Sequence, residues 1–269
     1  METSRGRKQN PTSYFLDTST QIERHWADEE ISRKVRDDLF GKKLRCSIYV
    51  EREYRTKVLN TLIDIYNLFR KFEDIQVAKQ RAEKLQQDGI FNTLTYNVVR
   101  RLFNRFNSVK PILRRIRGLI EGTWVNFFYD GGIPMALVDM TGCTRGAEVP
   151  QQLPQGYYLS IPTNKCPDNC KIYDFWKEKQ DDLQNLAQID TSKFTKTNDH
   201  KGTMREIQNE AQSILSGKSP YGDSCRNVSD AIISIEARDG YPGITIHTMD
   251  HDFELLKNIL NTKVRFLKV

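Results

Sequence analysis

Residues 248–256 read TMDHDFELL, and this stretch decides the fold. It follows the apolar run Ile244-Thr245-Ile246, so a strand should end just before it and a helix should begin within it. Asp250 and Asp252 fall at that junction, where either one alone reads as a helix cap. The fifty residues around the stretch keep the same rhythm. Ser229 can cap a helix written DAIISIEARDG that stops at Gly240, Asp252 can cap a helix through Leu260, and 264–267 reads as a last strand. Strands alternating with helices predict an α/β fold with a mostly parallel sheet covered on both faces.

Working outward, residues 13–16 (SYFL) form a short strand after Pro11, followed by a helix through Trp26. A second strand is expected at 44–50. A long amphipathic helix then carries Leu59, Leu62, Ile63, Tyr66, Phe69 and Phe72 at spacings of three and four. A polar helix is expected at 76–87, and Asn92 can cap the next one. Beyond Gly118 the residues 124–129, 133–140 and 157–162 read as strands, with a loop at 150–154. Residues 172–189 read as helix, 190–203 as loop and 205–215 as a shorter helix. The expected organisation is a disordered tail at 1–12 and a catalytic core made of 13–60 and 215–269. Between them lies an insertion at 61–214, with basic helices at 92–121 and a cysteine-containing, β-rich part at 123–175.

The chain has 269 residues, enough for one large domain or a domain with a substantial insertion. No apolar run approaches the roughly 20 residues needed to span a bilayer. The start, METSRGRKQNPTS, has no apolar segment of the secretory kind. A soluble, cytoplasmic protein with no membrane partner is expected. The net charge of +6 favours a polyanionic partner. That charge is concentrated at 98–118, where Arg100, Arg101, Arg105, Lys110, Arg114, Arg115 and Arg117 occur without a single acid. The segment reads either as a pair of amphipathic helices with a solvated basic face or as a surface that tracks a phosphate backbone.

Several acids share one kind of position. Asp17 follows the first strand, Glu51 and Glu53 follow the second, Asp230 opens the helix before the penultimate strand, and Asp250 and Asp252 follow that strand. In an open parallel sheet, ligands bind beyond the carboxyl ends of the strands. Carboxylates gathered there repel one another unless a cation lies between them. Hard oxygen donors suit Mg²⁺ or Mn²⁺, and such ions assist phosphodiester hydrolysis.

FLDTS at 15–19, SIYVEREYR at 47–55, NVSDAIISIEA at 227–237 and ITIHTMDHDFELL at 244–256 resemble the four acidic motifs of PIN domains, in the family's order. The last is the most specific, with Thr248, Asp250, Asp252 and Phe253 in the family's pattern. The resemblance covers about 13–60 and 215–269. It implies a three-layer α/β/α fold and a metal-dependent endoribonuclease. It also implies that Asp17, Glu53, Asp230 and Asp250 are catalytic and hold Mg²⁺ or Mn²⁺, with Asp252 as an auxiliary ligand and Ser19 supporting the site. Glu51 is the alternative to Glu53. The implied reaction is in-line attack by water on RNA, leaving a 5′-phosphate and a 3′-hydroxyl. A DNA-directed nuclease, a catalytically silent RNA-binding scaffold and an inhibitory or antitoxin-like protein partner stay open. A phosphatase with an aspartyl nucleophile fits Asp17, but Ser19 stands where a second aspartate is wanted. The chain departs from small PIN domains by the roughly 150 residues between its second and third motifs.

There are five cysteines, an odd number that argues against a disulfide framework. Cys46 reads as packing within a strand. Cys143, Cys166, Cys170 and Cys225 read either as a structural Zn²⁺ site or as ordinary thiols, since Cys166 and Cys170 flank only Pro-Asp-Asn.

Overall fold

The computed structural model describes residues 13–129, 135–143, 149–160, 170–193, 200–218 and 223–267. Its strands are β1 (Ser13–Leu16), β2 (Lys43–Ser47), β3 (Met135–Val138), β4 (Val149–Leu153), β5 (Gly156–Ser160), β6 (Thr245–Thr248) and β7 (Val264–Phe266). The first helices are α1 (Thr18–Trp26), α2 (Glu29–Leu39), α3 (Ile48–Phe69), α4 (Ile75–Gln87), α5 (Thr93–Arg105), α6 (Val109–Gly118) and α7 (Trp124–Tyr129). The later ones are α8 (Lys171–Glu178), α9 (Gln180–Ala187), α10 (His200–Leu215), α11 (Asp223–Asn227), α12 (Ser229–Gly240) and α13 (Asp252–Ile259).

Five strands form one sheet in the order β3-β2-β1-β6-β7, and every neighbouring pair is parallel. The chain steps outward from β1 to β2 to β3, then returns to the other side of β1 with β6 and β7. Parallel crossovers are right-handed, so the outward and return legs place their helices on opposite faces. The packing follows this rule. Residues of α1 to α7 build a core around Phe15, Tyr54, Leu62 and Ile112. Residues of α8, α9, α10, α12 and α13 build a second around Trp176, Leu186, Ile207, Ile232 and Leu256. The reversal of direction falls between β1 and β6, which is the switch point where ligands bind in such sheets.

The expected α/β class and parallel sheet are observed, but several local readings change, among them the end of the expected loop at 190–203, where α10 already begins at His200. β2 stops at Ser47, whose hydroxyl accepts the Tyr49 amide at 3.0 Å. That cap turns Ile48, Tyr49 and Val50 into the first turn of α3, although the apolar run alone cannot separate strand from helix. Residues 124–129 form α7 and not a strand; Trp124 and Phe128, four apart, are both buried on one helical face. The helix follows a kink at Gly122, whose φ of 142° favours glycine. The expected loop at 150–154 instead belongs to the hairpin of β4 and β5. The expected helix at 172–189 breaks at Lys179 into α8 and α9.

The expected boundary of the insertion also changes. β3 lies inside 61–214 yet pairs with β2 along its length, from Leu44 opposite Met135 to Ser47 opposite Val138. The core of 13–60 and 215–269 therefore supplies only four of the five strands. The expected tail at 1–12 lies outside the described residues. Among those described, no helix is long and apolar enough to cross a membrane.

Glu236 lies fully buried on α12, where its carboxylate accepts the Met140 amide at 2.8 Å. Burial pushes its pKa up to about 7 from 4.5, against the lowering effect of the Ser47 hydroxyl and the Met140 amide. The folded state thus holds this proton more tightly than the unfolded chain. The resulting loss of stability develops as pH rises from about 4.5 to about 7 and is complete above that. Glu236→Gln should remove this slope and raise stability at pH 8 by at most about 3 kcal/mol, from about 1.4 kcal/mol per pH unit. Denaturant titrations of both proteins across this range measure it, and an unchanged slope in the variant contradicts the assignment.

Candidate metal centre

The site starts where β1 ends. Asp17 is 2% exposed and caps α1, accepting the Thr20 amide at 2.9 Å. The Ser19 hydroxyl donates to Asp17 at 2.8 Å and accepts the Met249 amide at 3.0 Å. The Thr248 hydroxyl donates to Asp17 at 2.8 Å and accepts the Asp250 amide at 2.8 Å. Two hydroxyls therefore lace the end of β1 to the end of β6. Burial pushes the Asp17 carboxyl up, while the Thr20, Thr248 and Ser19 bonds pull it down. Thr248 and Ser19, small polar residues of the quoted motifs, thus act as positioning groups.

Asp250 in turn accepts the Asp252 amide at 2.9 Å. This reverses the expected capping: Asp252 stands in the first turn of α13, and Asp250 receives the amide there. Asp230 stands in the first turn of α12. The expected Ser229 cap is also absent, because that hydroxyl donates to the Arg226 carbonyl at 2.7 Å. Asp230, Asp250 and Asp252 each place one carboxylate oxygen within 4.8 Å of the others. Burial pushes the Asp230 carboxyl well above its usual range, and the charges of Glu53, Asp250, Asp17 and Asp252 push it further. The other four expected acids therefore all lie in electrostatic reach of Asp230.

Between the two candidate glutamates the geometry distinguishes clearly. Glu53 accepts the Thr18 hydroxyl at 2.6 Å and pairs with Lys57 at 2.6 Å. It lines a cavity of about 190 Å³ together with Asp17, Asp230 and Asp250. Glu51 does not line that cavity; its charge acts on Cys46 and Tyr129. The donor set fits a hard divalent cation: three carboxylate oxygens lie close enough to share one, and a positive charge between them would relieve their repulsion.

The cavity also contains residues that strand-end reasoning passes over. Thr203 and Glu206 come from α10, and Lys57, Arg226 and Asn227 complete the wall. Lys57 carried a readable signal, its spacing of four from Glu53. Glu206 carried none, since α10 reaches the site only through its packing in the second core.

The expected nucleic-acid contacts divide. Arg101 donates to the His25 carbonyl and, at 2.8 Å, to the Ser32 hydroxyl, which fastens α5 to α1 and α2. Arg117 donates to the Tyr66 hydroxyl at 2.9 Å. Arg100, Arg105, Lys110 and Arg114 are exposed, and Arg115 is half-buried. None of the seven lines the carboxylate cavity, whose cations are Lys57 and Arg226. Cys166 lies outside the described residues. Cys143, Cys170 and Cys225 belong to the second core, but among the described residues their sulfurs do not form a ligand group.

No family model, curated protein or solved structure matches this chain.

The crowding of charge yields a test. An apo protein that crowds a half-buried Asp230 with four other carboxylates is destabilised wherever Asp230 is ionised. Asp230→Asn should therefore raise the melting temperature in EDTA at pH 8. Mn²⁺ should raise that of the parent and leave the variant nearly unchanged. A variant that melts lower in EDTA, or still responds fully to Mn²⁺, contradicts this account of the site.

Proposed function

We propose that the chain is a divalent-metal-dependent endoribonuclease that hydrolyses phosphodiester bonds of single-stranded or structured RNA to leave 5′-phosphates. The observation carrying this reading is the meeting of Asp17, Glu53, Asp230, Asp250 and Asp252, from four separated segments, at the switch point of a parallel sheet. The same residues carry the resemblance to PIN domains.

In this reading Asp230, Asp250 and Asp252 hold a Mg²⁺ or Mn²⁺ ion, with Asp17 and Glu53 completing the wall. The ion, when bound, supplies Lewis acidity and neutralises charge on the phosphate. Asp17 is held in place by Ser19, Thr20 and Thr248, so it needs no reorganisation when substrate arrives. Lys57 and Arg226 place positive charge on the cavity wall, where phosphate oxygens can be held. A complete set of acids counts against the silent scaffold. The preference for RNA over DNA rests on the family resemblance, so both substrates belong in the test.

Purified protein with Mn²⁺ or Mg²⁺ should cleave labelled single-stranded RNA, and EDTA should abolish cleavage. Asp250→Asn should lower the rate by about 100-fold or more, as expected when a charge-stabilising group is lost. A single-stranded DNA of the same sequence serves as the comparison substrate. Tight RNA binding without cleavage, in both proteins and with either metal, would replace this reading with the scaffold.

A further inference from the structure

The basic residues that stay outside the cavity surround a second concavity. A hollow of about 500 Å³ opens between the C-terminal end of α3 and α6. Its floor is apolar, with Phe72 and Leu113 half-buried beside the more deeply buried Tyr66 and Val109. Its rim carries Lys110, Arg114 and Arg117, all exposed and spaced four and three apart, so they share one face of α6. Among the described residues none of the three forms an ion pair, and Glu73 is the one acid on the hollow. The Tyr66 hydroxyl accepts from Arg117 at 2.9 Å and so fixes that guanidinium at the rim.

We propose that this hollow is a second nucleic-acid site, holding a single strand at the far end of α3 from the carboxylate cavity. An apolar, partly aromatic floor suits an unstacked base, and a row of exposed cations outside any ion pair suits the phosphates on either side of it. A duplex offers phosphates but no free base face for the floor. The position has a consequence for substrate length. Tyr66 lies thirteen residues beyond Glu53, about 20 Å along α3 at a rise of about 1.5 Å per residue. A strand long enough to reach both places gains from both, and a dinucleotide cannot. Binding in the hollow stands without the nuclease reading, whereas this length dependence of cleavage rests on it.

The test uses the full chain, with fluorescence anisotropy of a long labelled oligoadenylate in EDTA at several salt concentrations. Lys110→Ala/Arg114→Ala should weaken binding by about tenfold and lower the salt slope by about 1.4, at about 0.7 per single-strand phosphate contact. Arg100→Ala/Arg105→Ala, also on exposed positions, should change binding much less. Lys110→Gln/Arg114→Gln, checked for an unchanged melting temperature, guards against a folding defect. In Mn²⁺ the first variant should raise KM for the long substrate and leave kcat/KM for a labelled dinucleotide unchanged. Unchanged binding in both hollow variants would overturn the proposal. So would an equal loss in the α5 variant, which would mean a diffuse basic face. Displacement of the RNA by oligoglutamate at equal charge concentration would likewise overturn it, in favour of an acidic protein segment. If binding falls as expected but no RNA is cut by any protein, the nuclease reading fails and the second site stands.

Discussion

The hydrogen bond from Thr248 to Asp17 crosses the seam on which the site depends. β1 and β6 are neighbours in the sheet but lie about 230 residues apart in the chain. Their adjacency places the reversal of strand order between them, and a reversal leaves a crevice at the carboxyl ends that no crossover helix covers. Thr248 and Ser19 bind the two strand ends across that crevice, each bridging Asp17 to a backbone amide beyond β6. Asp17 is thereby oriented while buried, and the turn after β6 is shaped so that Asp250 and Asp252 face Asp230.

This arrangement works against the stability of the empty protein. Burial disfavours the ionised form of Asp17, and burial together with the charges of the neighbouring acids disfavours that of Asp230. The surrounding structure holds the acids together because each is tied into a helix start or an ion pair: Asp17 at α1, Asp250 before α13, Glu53 with Lys57. Asp250 both accepts the Asp252 amide at the start of α13 and belongs to the close acidic group, so for it the two readings do not compete. A cation would convert the repulsion into affinity.

α3 organises the molecule lengthwise. Its first turns carry Glu53 and Lys57 to the cavity, and its last turns carry Tyr66 and Phe69 into the packing of α5 and α6. The acids and the strongest run of basic residues therefore occupy opposite ends of one helix. Local cations at the cavity, Lys57 and Arg226, are few, and the larger positive surface lies at a distance that only an extended ligand can bridge.

Much of the site was legible in the residues because the physics involved is local. An acid just after an apolar strand run falls at a sheet edge whatever the rest of the chain does, and the positions of Asp17, Asp250 and Asp252 follow from that rule, whereas Asp230 is marked only as an acid opening an apolar helix. Glu53 against Glu51 was not legible, since two residues apart on a helix face different ways and the phase was set by the Ser47 cap. The aromatic run in α7 reads as a strand for a related reason: short apolar segments suit either period until neighbours decide. The strand β3 is legible as a strand, but only its pairing with β2 brings it into the sheet.

The sequence by itself determined the α/β class, the parallel sheet and the acids at its strand ends, because these depend on periodicity and capping within a few residues. The tertiary structure alone decided that Thr203, Glu206 and Arg226 reach the same cavity and that Arg101 fastens helices. It also placed the remaining basic residues at the far end of α3. Those facts depend on which helices pack against which face, and packing between elements distant in the chain leaves no local mark in the order of residues.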